Sequence, residues 1–533
     1  MHKYINVNGQ YGFGQDRSMD YSSIEEILEG LDLLGIWQTI VEFPMASNAI
    51  YQAQRLLGDL ERIPQWRQRI IPTFAVGVST LFQKDGIAQL RQILQAQQPF
   101  CLSLYPKNNS YRLRMADRVL DELQDLCSVV LIDRAQLMGE YATDDLVYLA
   151  QRYPKMHFIV RRFGNSSLAF IFDVMARAEN ICADTSSLHT RKTIETICGL
   201  YGEHRVVFGT VPKIYAGASM AAITFADVSE ETKDKIRYGN FISMFQDEPS
   251  RTFLTENLKA VPDRVRNRFW RPFVEEGIAP DVDIYDVHCH MGHTDWKVTE
   301  NNTESLIPGL TKDMDTLNVK KLISAVSGGI DSIVDNRRVE QTVGEKKDRF
   351  LGYVHYNPNY DWRYTEEYLD DCFRGGYFVG LKTLPSYMHT DIRDPRYDRM
   401  FRYAHEHNLP ILIHTWGGSD SGSPTKCVEA AAKWPNAKII IGHTGGSKKG
   451  RQECEAIAQD PRWHNVYFEF CGSWGGGLWN ETLTKIDPGR VLYGSDSGIH
   501  NMMWEMGRLL SHDVSDEVLT AILGANAKKL FGF

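Results

Sequence analysis

Two histidines one residue apart, His288 and His290, stand in the run Asp286-Val287-His288-Cys289-His290. In a strand, side chains alternate between faces, so residues i and i+2 project together. Two imidazoles presented side by side can share one divalent ion. A lone His-x-His is weak evidence, because such a pair also occurs in ordinary strands. Four more residues of matching chemistry stand at the ends of later apolar runs: Lys382, His414, His443 and Asp496. Imidazoles suit zinc, iron or manganese, and a carboxylate completes a mixed nitrogen and oxygen donor set.

The elements that must position these residues are short apolar runs alternating with amphipathic stretches. In the second half the runs are Val282–Val287, Lys321–Val326, Phe350–His355, Tyr377–Leu381, Pro410–His414, Ala437–Gly442, Val466–Phe470 and Arg490–Gly494. Eight strands close a (β/α)₈ barrel, whose C-terminal strand ends form the reaction site. The first half shows the same rhythm, in Lys3–Val7, Thr39–Glu42, Ile70–Val76, Phe100–Leu104, Val129–Ile132, Met156–Val160, Asn180–Ala183 and Val206–Phe208. Landmarks recur at near-constant separation. His414 answers Asp133 and His443 answers Arg162, both 281 residues on, while Asp496 answers Val211 at 285 and Asn526 answers Asn240 at 286. The expected fold is therefore α/β, with two tandem TIM-like barrels of which the first lacks the metal ligands. The expected domains are 1–246 and 281–533, joined by a charged, proline-containing linker over 247–280.

Bulk properties narrow the classes. A chain of 533 residues exceeds one core but fits two barrels of ~250 residues each. A formal net charge of −9 argues against a dedicated nucleic-acid binder. The 9 cysteines are scattered, odd in number and without a CxxC pair, which suits reduced thiols. The polar start Met1-His2-Lys3-Tyr4 and the lack of a run of ~18 apolar residues give no sign of a signal core or membrane span. The expectation is a cytoplasmic protein acting on a small molecule, without nucleic-acid or membrane partners, with self-association left open.

The set His288-Cys-His290, Gly380-Leu-Lys382, Ile-His414-Thr, Gly442-His443-Thr-Gly, Gly494-Ser-Asp496 and the closing Asn526-Ala-Lys-Lys-Leu-Phe531 resembles the amidohydrolase superfamily. The closer likeness is to its "amidohydrolase 2" and aminocarboxymuconate-semialdehyde decarboxylase-like branch, over 281–533. The first half resembles a degenerate copy. The resemblance implies that His288, His290 and His414 ligate a divalent ion, zinc before manganese or iron. It implies that Asp496 is a ligand or the general base beside the activated water. His443 is implied as a second-metal ligand or as the group that polarises substrate. Lys382 has three readings: a carbamylated bridge between two metals, a non-ligand, or a buried cation paired with Asp496 or an anionic substrate. The expected activity is hydrolysis of a C–N or C–O bond in a small carboxylated or cyclic metabolite. Non-oxidative decarboxylation with the same hardware is the alternative. A non-catalytic binding or scaffold role is the third reading, mainly for the first half.

Other residues have two readings each. His293 and His355 could face the pocket or be solvated and packed. Trp416 and Trp474 could form an aromatic wall or pack loops, and Gly475-Gly476-Gly477 reads as a flexible loop. Cys289 alternates away from the ligands, and His405 and His407 read as helix-surface residues. In the first half Asn8, Gln10, Ser103, Asp133, Arg162 and Val211 stand where the second has its chemistry. One aspartate and two amides make a poor divalent site, and an arginine repels a cation. Arg161 and Arg162 are expected in internal salt bridges.

Overall fold

The computed structural model describes residues 1–12, 21–44, 48–137, 139–164, 167–291, 303–326, 332–472 and 479–533. His293, Trp474 and Gly475–Gly477 lie outside these. The chain divides into two compact units, Met1–Val265 and Arg266–Phe533. The charged segment expected as a linker contributes a helix to each: Glu248–Asn257 to the first unit and Trp270–Glu276 to the second. Among the described residues no helix is long and apolar enough to cross a membrane.

Each unit is an eight-stranded parallel barrel with strands in sequence order. The first runs through β1 (Ile5–Asn6), β2 (Gln38–Glu42), β3 (Ile70–Val76), β4 (Cys101–Leu104), β5 (Val129–Asp133), β6 (His157–Arg161), β7 (Ile181–Asp184) and β8 (Val206–Val207). The second runs through β9 (Ile284–Met291), β10 (Val319–Val326), β11 (Phe350–His355), β12 (Phe378–Thr383), β13 (Pro410–Ile413), β14 (Lys438–Ile441), β15 (Val466–Glu469) and β16 (Val491–Leu492). Closure is direct: Val7 N–H donates to Phe208 O at 3.1 Å, and Val287 N–H to Tyr493 O at 3.0 Å.

Both interiors are layered. The apolar layer of the first barrel holds Ile5, Ile40, Ile71, Cys101, Leu131, Ile159, Cys182 and Val207. Two residues further along these strands the side chains turn polar, at Glu42, Thr73, Ser103, Asp133, Arg161 and Asp184, all buried. The second barrel repeats the change from Tyr353 to His355, Leu412 to His414 and Tyr467 to Glu469. Alternation thus puts hydrocarbon at the N-terminal end of each barrel and chemistry at the C-terminal end. In the second unit Ala527, Leu530, Phe531 and Phe533 pack against the apolar layer. In the first, Phe241, Met244, Phe245, Leu254 and Leu258 belong to it.

Two bulges adjust the aim. The β9–β10 register slips by one residue between Asp286 and Cys289. Tyr285 and Val287 can therefore belong to the core while His288 and His290, on the opposite alternation, also reach the interior. Asp286 Oδ1 accepts the His288 N–H at 3.1 Å and the Ser495 N–H at 3.0 Å, tying the bulge to the end of β16. A second slip, around Val379 in β12, brings Lys382 level with His355.

Candidate metal centre

His288 lies at the centre of the second unit's polar layer and is fully buried. Its Nδ1 faces Glu469 Oε2 at 3.0 Å, which assigns the ring hydrogen to Nδ1 and leaves a lone pair on Nε2. That Nε2 is 3.1 Å from His290 Nε2 and 3.7 Å from Asp496 Oδ1, and His290 Nε2 is 3.1 Å from the same oxygen. The His288 Nε2 lone pair and the Asp496 carboxylate converge on His290 Nε2, an arrangement that a cation among them would stabilise. Lys382 Nζ, 2.8 Å from His288 Nε2, supplies one. The donor set His288, His290 and Asp496, with all its atoms within 4.8 Å, fits a divalent ion in nitrogen and oxygen chemistry.

The charges agree. Burial and Lys382 hold His288 well below the ordinary histidine range. Burial, then His288, brings His443 down to about 4. Burial and then His443 also keep His414 low. Burial lowers Lys382 to about 8, against the opposing pull of Asp496 and Glu469, so at neutral pH it is still mostly an ammonium. Burial alone would raise Asp496, but His500, His288 and His290 outweigh it and keep the carboxylate ionised. The resulting site sets His288, His414 and His443, all held low, beside one fixed carboxylate and one readily discharged amine.

The other expected residues are placed unevenly. His443 follows β14 with a positive φ of 58°, and Asp496 follows β16 at 52°, both in the left-handed region. His443 Nδ1 donates to Cys471 O at 3.1 Å, leaving Nε2 as the acceptor. The His443 ring lies 5.0 Å from the His288 ring and 4.9 Å from that of His414, centroid to centroid. His414 is covered edge-on by Tyr387 at 5.1 Å, and its Nδ1 has no hydrogen-bond partner among the described residues. His355, level with Lys382, is buried with neither ring nitrogen bonded among the described residues, and burial drives it down to about 3. Trp416 lies 6.5 Å from His443, and Gly446, at φ +64°, has no Cβ to strike its ring.

Sequence reasoning missed the support behind these residues. Glu469 closes β15 and accepts the N–H groups of His443 at 2.9 Å and Cys471 at 2.6 Å as well as facing His288. Gly494 makes room for it, since a Cβ there would lie 2.2 Å from Glu469 Oε1. Behind Asp496, His500 Nε2 stands 3.7 Å from Oδ2, and His500 Nδ1 meets Glu505 Oε1 at 2.9 Å. Arg508 grips Glu505 Oε2 with Nε at 3.0 Å and a terminal nitrogen at 2.7 Å. Only Glu469 carried a readable signal, as the one acid within the seventh run, next to its end.

The same cradle exists in the first unit with different contents. Asp184 accepts the Arg162 N–H at 3.0 Å and the Ser186 N–H at 3.3 Å, as Glu469 accepts those of His443 and Cys471. Asn6 Oδ1 accepts the N–H groups of Asn8 at 3.2 Å and Thr210 at 2.8 Å, as Asp286 accepts those of His288 and Ser495. Arg162 shares the left-handed φ of His443, at 54°. Its guanidinium bonds Asp133 and, at 2.5 Å, Gln10. Arg161 pairs with Glu42 at 2.5 Å and Asp133 at 3.1 Å, both ends buried. The expected internal salt bridges are present.

Residues 332–533 match the family model described as amidohydrolase. No curated protein matches the sequence. Similar solved structures include 2,6-dihydroxybenzoate decarboxylase from Rhizobium, at 16% identity and TM-score 0.36 over 47% of this chain and 99% of that one. A probable 2-pyrone-4,6-dicarboxylic acid hydrolase from Acinetobacter baumannii, with citric acid bound, aligns at 14% and 0.36 over 47% and 100%. The 5-carboxyvanillate decarboxylase from Novosphingobium aromaticivorans, complexed with manganese, aligns at 13% and 0.37 over 48% and 98%. The matched segment carries Lys382, His414, His443, Glu469 and Asp496, while His288 and His290 precede it.

Proposed function

We propose that the second unit is a metal-dependent hydrolase that cleaves a C–N or C–O bond in a small carboxylated or cyclic metabolite. The observation that carries this reading is the convergence of His288 Nε2, His290 Nε2 and Asp496 Oδ1 on one point, with Asp496 held ionised. His288, His290 and Asp496 would hold the ion, with His414 as a further ligand. When bound, a divalent ion lowers the pKa of its water from ~15.7 to about 7 and polarises a substrate oxygen. Asp496 would serve as the base that takes a proton from that water and returns it to the leaving group. His443, with Nδ1 committed to a carbonyl, offers Nε2 as a ligand or acceptor. Lys382, 2.8 Å from His288 Nε2, would give up that contact if the nitrogen ligated an ion and could then meet a substrate carboxylate.

The test pairs metal analysis of the purified chain with turnover in ¹⁸O-labelled water. A stoichiometric divalent ion and one solvent oxygen in the product support the reading. Release of CO₂ with solvent hydrogen taken up at carbon would instead make the enzyme a decarboxylase on the same residues. A chain that holds no divalent ion after loading would refute both and leave a binding role.

A further inference from the structure

On the far side of the His288 ring lies a second convergence of donors. Cys471 Sγ is 3.4 Å from His288 Nδ1 and 3.6 Å from His443 Nδ1. Glu469 Oε2 is 3.0 Å from His288 Nδ1 and 4.0 Å from His443 Nδ1. All four residues are buried, and one ligand atom from each lies within 4.8 Å of the others. A tetrahedral zinc with Zn–S of ~2.3 Å and Zn–N of ~2.0–2.1 Å has nitrogen–sulfur edges of about 3.5 Å and nitrogen–oxygen edges of about 3.4 Å. The observed separations bracket those edges before any ion has drawn the donors together.

We propose that His288 Nδ1, His443 Nδ1, Glu469 and Cys471 form a second metal position, for a thiophilic divalent cation such as Zn²⁺ or Cd²⁺. Nothing in the reading of the first position requires it. Its chemistry is softer: a thiolate and a carboxylate balance the divalent charge, and two neutral imidazoles complete the shell. Orientation of the two histidines accounts for Glu469 alone, since Asp184 occupies the same cradle in the first unit beside Ser186 and an arginine. The sulfur is what the second unit adds, and it points between two ring nitrogens. Binding there moves the hydrogens of His288 and His443 from Nδ1 to Nε2, gives up the His443 Nδ1 bond to Cys471 O and the Lys382 bond to His288 Nε2, and releases the Cys471 proton to solvent. A neutral imidazole has one lone pair. His288 therefore serves the soft position through Nδ1 or the hard one through Nε2, and the two compete.

The experiment uses the full chain freed of metal by chelation, then titrated with Co²⁺ or Cd²⁺ alone and read by thiolate-to-metal charge-transfer absorption in the near ultraviolet. The wild type should develop the band to saturation at one equivalent. The band should vanish in Cys471→Ser and Cys471→Ala, and persist in Cys427→Ser and in His290→Ala, which disables only the hard position. Circular dichroism identifies any variant that fails to fold; one folded Cys471 variant suffices. Cd²⁺ should also displace bound Mn²⁺ from the wild type, seen as the free Mn²⁺ paramagnetic resonance signal, but not from that variant. No band in the wild type, or a band unchanged in a folded Cys471 variant, overturns the proposal. A wild type that gives the band yet never binds Mn²⁺ refutes the first position and upholds the second.

Discussion

Asp496 is a carboxylate that burial should neutralise and three imidazoles keep charged. That balance makes its variants informative. His288→Ala and His290→Ala each remove a nitrogen from the hard position, and both should lose the ion and all turnover, by metal analysis and kcat. Asp496→Asn retains a ligand oxygen but no basic one. It should keep much of the metal and lose kcat by about 10²–10⁴-fold, the usual worth of a positioned base; near-wild-type kcat would remove Asp496 from that role. In the first unit Asp133 works the other way round, as the anion of a buried pair. Burial would raise its carboxyl, but Arg161 and Arg162 bring it down to about 2. A depressed native pKa means stability that is present above the unfolded value near 4 and lost as pH falls toward 2. Acid unfolding of the first unit should therefore fall in that window. Asp133→Asn should cost about 3–5 kcal/mol at neutral pH by denaturant melts, because it leaves buried guanidinium charge uncompensated. The six candidate site residues were legible because each ends or follows an apolar run. Glu469 stands one residue inside its run, where a buried acid is itself a signal. Cys471, His500, Glu505 and Arg508 were not, since their relevance depends on where loops and a helix after β16 fold back.

At the scale of elements, the two barrels repeat devices that no ligand requires. Asn240 Nδ2 donates to the carbonyls of Glu203 and Val206, both at 2.8 Å, and Asn526 Nδ2 to those of Pro488 and Val491 at 2.8 and 2.7 Å. Each asparagine follows one π-helical turn, Lys235–Gly239 or Ala521–Ala525. Arg205 and Arg490 each bond three carbonyls around the start of β7 or β15. The asparagines seat each closing helix against the last strand, and the arginines tie the start of that strand to its neighbour. Asn240→Ala and Asn526→Ala should each destabilise their own unit by about 1–3 kcal/mol through unmet buried carbonyls, with the larger effect at the more buried Asn240, as measured by urea unfolding. Equal and negligible losses would make the repeated contact incidental. The sixteen strands could be read from apolar runs because barrel strands are buried on both faces. The bulges in β9 and β12 could not. A bulge is a register difference between two strands, and one strand's sequence carries only half of it.

At the scale of the whole molecule, one scaffold carries two solutions to the same electrostatic problem. The C-terminal ends of eight strands gather polar side chains that need a compensating positive charge. The first unit meets the need permanently, with Arg161 and Arg162 against Glu42 and Asp133. The second meets it with Lys382, whose amine is easily discharged, and with histidines that accept a divalent ion. A cation built into the chain needs no metal to be stable, whereas an exchangeable one ties stability to metal concentration. Binding only to the native state stabilises by about 2.7 kcal/mol at a hundredfold excess over Kd. Added Mn²⁺ or Zn²⁺ should therefore slow hydrogen exchange in peptides covering β9, β12, β13 and β16, and leave those covering β1, β4, β5 and β6 unchanged. Chelation should reverse the effect in the same peptides alone. Mass spectrometry of the intact chain locates the change without separating the units. Metal-dependent protection around Asn8, Gln10 and Asp133 would show that the first barrel also takes an ion, and that its arginines yield to one.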